Sequence, residues 1–165
     1  MRVRFLILTL TPLLCAFAVF NAADLRINTS ASLPVGLYRV GDNGSFVEFC
    51  PDDRGLSARR HYRAGGVCSD GAAPLLKPVI ARSADEIVLS PLGIAVNGKL
   101  LPHTAPLDHD SEGRPLAHWP AGRYTAAPGI LWVASSYNAR SYDSRYFGPI
   151  RASSVRARLR PLIAW

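Results

Sequence analysis

The sequence predicts a mainly β fold, in which one N-terminal transmembrane helix precedes a barrel-like domain of coiled antiparallel β-sheets. Residues 5–23 form an uncharged apolar run, and the runs of apolar and β-branched residues after it are short and bounded by turns. Thirteen Pro and thirteen Gly are scattered along the chain, and no long amphipathic helix is evident. We therefore expect residues 1–23 to form a stub and anchor, and residues 24–165 to form one domain with its own core.

The apolar run at residues 5–23 predicts a membrane-spanning helix. About 19 helical residues span about 28 Å, close to the thickness of a bilayer's hydrocarbon core. Arg2 and Arg4 precede the run, whereas its other flank, Asp24 followed by Arg26, is balanced. The positive-inside rule therefore places the N-terminus in the cytoplasm and residues 24–165 in the periplasm or outside the cell.

Two alternatives to a retained anchor remain open for the same run. The small-x-small sequence at residues 16–18 has the form of a signal-peptide cleavage site, so the segment could be removed. Cys15 could instead be a lipoprotein site, although Leu14 before it is bulkier than the residue usually found there.

Seven strands are predicted in the exported part, each a short run between turn residues: residues 36–40, 45–49, 75–82, 86–90, 94–97, 130–134 and 155–159. The strongest hairpin signal is Asn97-Gly98, because Asn-Gly supplies the positive φ values of a type I′ turn.

The net charge of +7 predicts an anionic neighbour, since much of it comes from Arg151, Arg156, Arg158 and Arg160 near the C-terminus. An anionic membrane surface or an acidic partner would suit this charge, as would simple solvation near lipid headgroups. Nucleic acid is the rival partner, but the basic residues are not interleaved with aromatics in a recognisable module. We therefore predict no nucleic-acid binding.

Cys50 and Cys68 are predicted to form a disulfide, because both lie in the exported part and an oxidising compartment favours pairing. Closing a loop of about 19 residues stabilises a fold by about 3 kcal/mol. A metal pair or a cysteine nucleophile would need a further ligand or a His partner that the sequence does not supply. A His-based triad is also weak, since residues 108–110 (Asp-His-Asp) lie in a loop-like stretch, and no metal site or cofactor is predicted.

Ser32 and Lys77 are the candidate nucleophile and base. A serine hydroxyl needs a base to remove its proton, and a lysine can do so only when neutral. Working near neutral pH requires its pKa to fall by about 3 units, and the apolar neighbours of Lys77 in residues 75–81 could desolvate it. Taken alone, however, a lysine in an apolar strand is more often a snorkelling edge residue.

Four segments decide between these readings, because together they resemble the signal peptidase I family of Ser/Lys peptidases, and most closely its TraF-type branch of conjugative transfer. They occur in the family's order: residues 30–38, 76–81, 85–88 with 93–98, and 141–150. The last, Ser-Tyr-Asp-Ser-Arg-Tyr-Phe-Gly-Pro-Ile, is the most specific match. Leu33 in place of the usual Met, and Pro34 directly after it, favour the TraF-type branch.

The resemblance implies a role for each matching residue. Ser32 would be the nucleophile and Lys77 the general base, and the oxyanion hole would combine the Ser32 backbone N–H with the Ser30 hydroxyl.

The C-terminal signature would support this centre. Ser141 would orient the lysine amine, Asp143 and Arg145 would form an ion pair beside the site, and Asp143 would also take part in the chemistry. From composition alone, this string could equally be a polar turn before a strand.

The implied function is a single-pass peptidase of the bacterial inner membrane with its catalytic domain in the periplasm. It would cleave a signal or propeptide from a membrane-inserted pilin precursor, with cyclisation of the pilin by aminolysis as a further implication of the resemblance. Its partners would be that precursor, the lipid bilayer and other proteins of the conjugation apparatus. Two alternatives remain: a general type I signal peptidase acting on exported preproteins, and a noncatalytic membrane-anchored β module of a transfer or secretion apparatus.

Overall fold

The computed structural model describes residues 24–51 and 62–165. Its strands, in chain order, are β1 (Leu25–Asn28), β2 (Gly36–Val40), β3 (Phe46–Phe49), β4 (Leu75–Ala81), β5 (Glu86–Ser90), β6 (Gly93–Val96), β7 (Lys99–Leu100), β8 (Gly122–Thr125), β9 (Ile130–Val133), β10 (Ile150–Arg151) and β11 (Val155–Ala164). A four-residue helix, α1 (Ser144–Phe147), and a 3₁₀ turn (Ala152–Ser154) lie near the C-terminus.

The strands form two sheets in which neighbouring strands are antiparallel. One sheet has the order β1-β2-β11-β3-β4-β9-β10 and the other β7-β6-β5-β8. Register shifts interrupt β11 twice and β4 once, and such irregularities bend strands and increase their twist. The prediction of a mainly β fold of antiparallel sheets is therefore confirmed.

The buried core positions β4, the strand that carries Lys77. Val47 and Phe49 of β3 pack with Val133 of β9 and with α1. Leu75 and Val79 also pack against this cluster. Because side chains two residues apart on a strand point to the same face, Lys77 shares that face with Leu75 and Val79.

The predicted strands agree closely with the observed ones. Two have the predicted bounds, three differ by one residue at one end, β6 is shifted by one residue at both ends, and β11 continues five residues beyond Leu159. Asn97 and Gly98 have φ values of 50° and 81°, so the predicted hairpin between β6 and β7 is confirmed. The short strands β1, β8 and β10 and the helix α1 were not predicted.

Cys50 and Cys68 form a disulfide, as predicted, with their Cα atoms 5.6 Å apart. The bond ties the residue after β3 to the segment that leads into β4. It therefore restrains the entry to the strand that carries Lys77.

The predicted membrane-spanning run at residues 5–23 lies outside the described residues. Within residues 24–51 and 62–165, no helix has the length and apolar character needed to cross a bilayer.

Candidate active site

Ser32 lies in the loop that joins β1 to β2. Asn28 and Gly36 pair at the base of this loop, and Leu33 is buried against Tyr38 and Leu159. Gly36 has a φ of 156°, and a Cβ there would collide with the backbone of β11. The buried leucine and the close strand contact hold the loop, while Ser32 stays partly accessible.

Asn28 and Tyr38 fix the path of the loop by hydrogen bonds. Asn28 Nδ2 lies 2.9 Å from the carbonyl oxygen of Ser30, 3.3 Å from that of Leu33 and 3.1 Å from that of Pro34. Asn28 Oδ1 accepts from the backbone N–H and the hydroxyl of Ser30, at 3.1 and 2.8 Å. Tyr38 donates its hydroxyl to the Pro34 carbonyl, at 2.6 Å. Asn28 was not among the residues predicted from the sequence, although an Asn that bonds the backbone two residues on is a known turn signal.

Lys77, Ser32 and Ser141 meet at one point, although they are distant in the sequence. Lys77 Nζ donates to Ser32 Oγ at 2.6 Å and to Ser141 Oγ at 2.8 Å. The two hydroxyl oxygens are 3.3 Å apart. Lys77 is 4% exposed and Ser141 is 2% exposed. The structure therefore brings the predicted nucleophile, base and orienting serine within hydrogen-bond reach of one another.

Burial lowers the pKa of Lys77 from 10.5 to about 8. Desolvation is the main cause, because the charged ammonium loses water that the protein does not fully replace. Asp143 opposes this shift and Arg145 adds to it through their charges. With this pKa, Lys77 is neutral, and so able to accept a proton, in part of the molecules near neutral pH.

Asp143 and Arg145 form a buried ion pair beside this centre. Arg145 Nε lies 2.8 Å from Asp143 Oδ1, and Nη2 lies 2.9 Å from Oδ2. Asp143 also caps α1 by accepting from the Arg145 backbone N–H, and it accepts from the Ser135 backbone N–H at 3.1 Å. In the described part of the chain, no hydrogen bond joins Asp143 to Lys77 or Ser32. Its influence on Lys77 is electrostatic.

Arg145 also binds four backbone carbonyls, which ties separate segments to the site. Nη2 donates to the Ser141 carbonyl at 2.7 Å. Nη1 donates to the carbonyls of His103, Ala105 and Ala139, at 3.3, 3.1 and 3.0 Å. The guanidinium therefore fixes the backbone of Ser141, whose hydroxyl faces Lys77.

The two predicted oxyanion donors, the Ser32 backbone N–H and the Ser30 hydroxyl, differ in their hydrogen bonding. Among residues 24–51 and 62–165, no group accepts a hydrogen bond from the Ser32 backbone N–H. The Ser30 hydroxyl, in contrast, donates to Asn28 Oδ1 at 2.8 Å. If these two groups form the oxyanion hole that the resemblance implies, the Ser30 hydroxyl would first have to leave Asn28 Oδ1.

A separate cavity of about 380 Å³ lies between β5, β6 and the segment around Trp119. It reaches Arg145 but is not lined by Ser32, Lys77 or Ser141. In the described residues, no group of three or more His, Cys, Asp or Glu side chains is arranged to hold a metal ion.

Comparison with known proteins finds a matching family and several relatives. The family described as "Signal peptidase, peptidase S26" matches residues 1–165. The Plasmid transfer protein TraF of Escherichia coli is 38% identical over 151 residues, which cover 87% of this chain and 85% of that protein. The Conjugal transfer protein TraF of Agrobacterium fabrum (strain C58 / ATCC 33970) is 34% identical over 149 residues, covering 85% and 82%. The crystal structure of a signal peptidase I from Enterococcus faecalis V583 is 17% identical, with a TM-score of 0.38 over 73% of this chain and 97% of that one.

Proposed function

The chain belongs to the signal peptidase family of peptidase S26, in its TraF branch, and from that premise we propose that it is a membrane-anchored serine peptidase that matures a pilin precursor in conjugative transfer. The observation that carries the proposal is the buried Lys77 Nζ, 2.6 Å from Ser32 Oγ. Curated relatives named for plasmid and conjugal transfer support the biological setting.

Acylation begins when Lys77 is neutral. With a pKa of about 8, roughly one lysine in ten is neutral at pH 7. The hydrogen bond between the two groups then reverses, so that Ser32 donates its proton to the Nζ lone pair. The Ser141 hydroxyl accepts one Nζ hydrogen and so keeps the lone pair directed at Ser32. Ser32 Oγ attacks the scissile carbonyl, and Lys77 passes the proton to the leaving amine.

The negative charge on the carbonyl oxygen needs donors at the moment of attack. The Ser32 backbone N–H, which has no acceptor among residues 24–51 and 62–165, would supply one, and the Ser30 hydroxyl would supply the other. Losing one such donor typically costs 100- to 1000-fold in rate. Asp143 and Arg145 would act indirectly, because their ion pair anchors Ser141 and sets part of the electrostatic field at Lys77.

Deacylation can follow two routes from the ester at Ser32. Water attack, with Lys77 again accepting the proton, releases a linear product. Where the peptide removed is C-terminal, the pilin itself is the acyl group on Ser32, and attack by its own N-terminal amine forms an amide bond, breaks the ester, returns a proton to Ser32 Oγ and releases a cyclic product. We propose cyclisation as an extension of pilin maturation, and it rests on the resemblance to the TraF branch.

The domain arrangement is part of the same proposal. Residues 1–23 would form the cytoplasmic stub and membrane anchor, and residues 24–165 the periplasmic peptidase domain. Ser32 follows residue 23 by nine positions, so an extended chain would place it at most roughly 30 Å from the bilayer. Membrane-inserted precursors are therefore the expected substrates.

Processing of a co-expressed candidate pilin precursor tests the proposal. Wild type should cleave it, while Ser32→Ala and Lys77→Ala should not, although both should remain folded and membrane-bound. Lys99→Ala is the matched control, since Lys99 is the chain's other lysine and lies in the exposed β7 hairpin strand. Intact mass reports the product, because a cyclic pilin is one water lighter than the linear one.

The other outcomes identify the alternatives. Equal cleavage of unrelated exported preproteins by the wild type would favour a general type I signal peptidase. Normal processing by Ser32→Ala and Lys77→Ala would show that the Ser/Lys centre is dispensable and would favour a noncatalytic β module.

A further inference from the structure

Asn28 connects the end of β1 to the β1–β2 loop, which carries Ser32, through both the NH₂ group and the oxygen of its side-chain amide. Its side chain is buried, with the residue 4% exposed. The NH₂ group lies within hydrogen-bond distance of three loop carbonyls, and the carbonyl oxygen accepts from both polar hydrogens of Ser30. The amide supplies both functions from one side chain, whereas a carboxylate in its place could not donate and an ammonium could not accept.

The Ser30 hydroxyl carries a single proton, and that proton is directed at Asn28 Oδ1. The same proton would be needed by the developing oxyanion. In the free protein the hydroxyl is therefore held in one orientation, and it must turn towards the substrate oxygen as charge develops there. The Ser30 backbone N–H also bonds Asn28 Oδ1, so Ser30 can stay in place while its hydroxyl turns.

We propose that Asn28 is a positioning residue for the oxyanion hole. It holds the Ser30 hydroxyl beside Ser32 until the substrate oxygen replaces Asn28 Oδ1 as the acceptor of that hydroxyl's hydrogen bond. This inference rests on the proposed peptidase function. A neutral amide oxygen suits the role, because hydrogen bonds to a carboxylate are about twice as strong and would be harder to exchange.

Loop stability alone would not need this arrangement. Leu33 is buried in the core, and the Tyr38 hydroxyl independently holds the Pro34 carbonyl at 2.6 Å. Asn28 shares the Pro34 carbonyl with Tyr38 but also binds Ser30, which Tyr38 does not. Tyr38→Phe is therefore a matched control that loosens the same loop without touching the Ser30 hydroxyl.

The test is a kinetic double-mutant cycle on the full-length protein in detergent micelles, with a purified candidate pilin precursor as substrate. The variants are Asn28→Asp, Ser30→Ala, their combination and Tyr38→Phe. Asn28→Asp keeps the size of the side chain but replaces the donor and strengthens the hold on the Ser30 proton. We expect Asn28→Asp and Ser30→Ala each to lower kcat by about 100-fold or more, with KM changed by less than about threefold.

The double variant should be no more than about threefold slower than the slower single variant, because both changes remove the same donor. Tyr38→Phe should lose far less. The inference is overturned if Asn28→Asp loses no more kcat than Tyr38→Phe, or if the two losses multiply in the double variant. If Asn28→Asp does not fold, shown by the loss of its unfolding transition in tryptophan fluorescence, Asn28→Ala replaces it in the cycle. The coupling between Asn28→Ala and Ser30→Ala is then judged in the same way.

The failure of this inference and the failure of the proposed function give different results. If only the inference is wrong, wild type still cleaves and Ser32→Ala still does not. If wild type shows no Ser32-dependent cleavage, both proposals fall.

Discussion

Replacing Lys77 by methionine should stabilise the protein at neutral pH while abolishing cleavage. Methionine fills a similar volume and carries no charge to desolvate. Lowering the pKa of Lys77 from 10.5 to about 8 corresponds to a penalty of about 3 kcal/mol for keeping the buried lysine protonated. At pH 7 the wild type carries almost all of this penalty, and Lys77→Met carries none.

The pH dependence separates this effect from ordinary packing changes. Because the pKa of Lys77 is lower in the folded state, the unfolded chain holds more protons between about pH 8 and pH 10.5. Wild-type stability should therefore rise with pH through that window, and below pH 8 the full penalty remains. Between pH 7 and pH 10, the wild type should gain about 2 to 3 kcal/mol relative to Lys77→Met.

Urea unfolding of full-length protein in detergent micelles, followed by tryptophan fluorescence at both pH values, measures this difference. Other titrating groups are common to the two proteins and cancel in the comparison. Lys99→Met, which alters the exposed lysine of β7, is the matched control. If the stability difference between wild type and Lys77→Met is the same at pH 7 and pH 10, desolvation does not lower the pKa of Lys77, and the account of its basicity is wrong.

The titration of Lys77, the hydrogen bond to Ser141 and the disulfide can each be tested by a separate measurement. In NMR spectra of protein with ¹³C-labelled lysine, the Cε signal of Lys77 should titrate near pH 8. The chain has two lysines, so Lys99→Arg assigns the signals. A titration midpoint above about pH 10 would contradict a desolvated base. Ser141→Ala removes the acceptor of one Nζ hydrogen and should lower kcat about tenfold in the cleavage assay, the equivalent of one hydrogen bond; a change confined to KM would indicate a role in binding instead. Replacing both Cys50 and Cys68 by alanine should lower the free energy of unfolding in urea by about 3 kcal/mol, and unchanged stability would show that the loop is already restrained without the disulfide.

Local patterns in the sequence predicted most of the strands. The alternation in residues 86–90 and the Asn97-Gly98 turn depend on neighbours within a few positions, so both appear in the structure as expected. The end of β11 could not be predicted in this way, because Ile163 and Ala164 are held as a strand by pairing with Leu37 and Gly36 of β2. Short strands such as β10 likewise depend on a partner rather than on their own composition.

In the candidate site, too, some features follow from the sequence and others depend on contacts between distant residues. The residues that could do the chemistry can be recognised in the chain, since it contains an apolar-flanked Lys77, a serine at position 32 and the signature at residues 141–150. Their arrangement comes from the fold: Lys77 Nζ lies within 2.8 Å of both serine hydroxyls, its pKa falls to about 8, and Asn28 holds the Ser30 hydroxyl. Desolvation and hydrogen-bond geometry are set by groups that folding brings together from distant parts of the chain, and no local pattern specifies those distances.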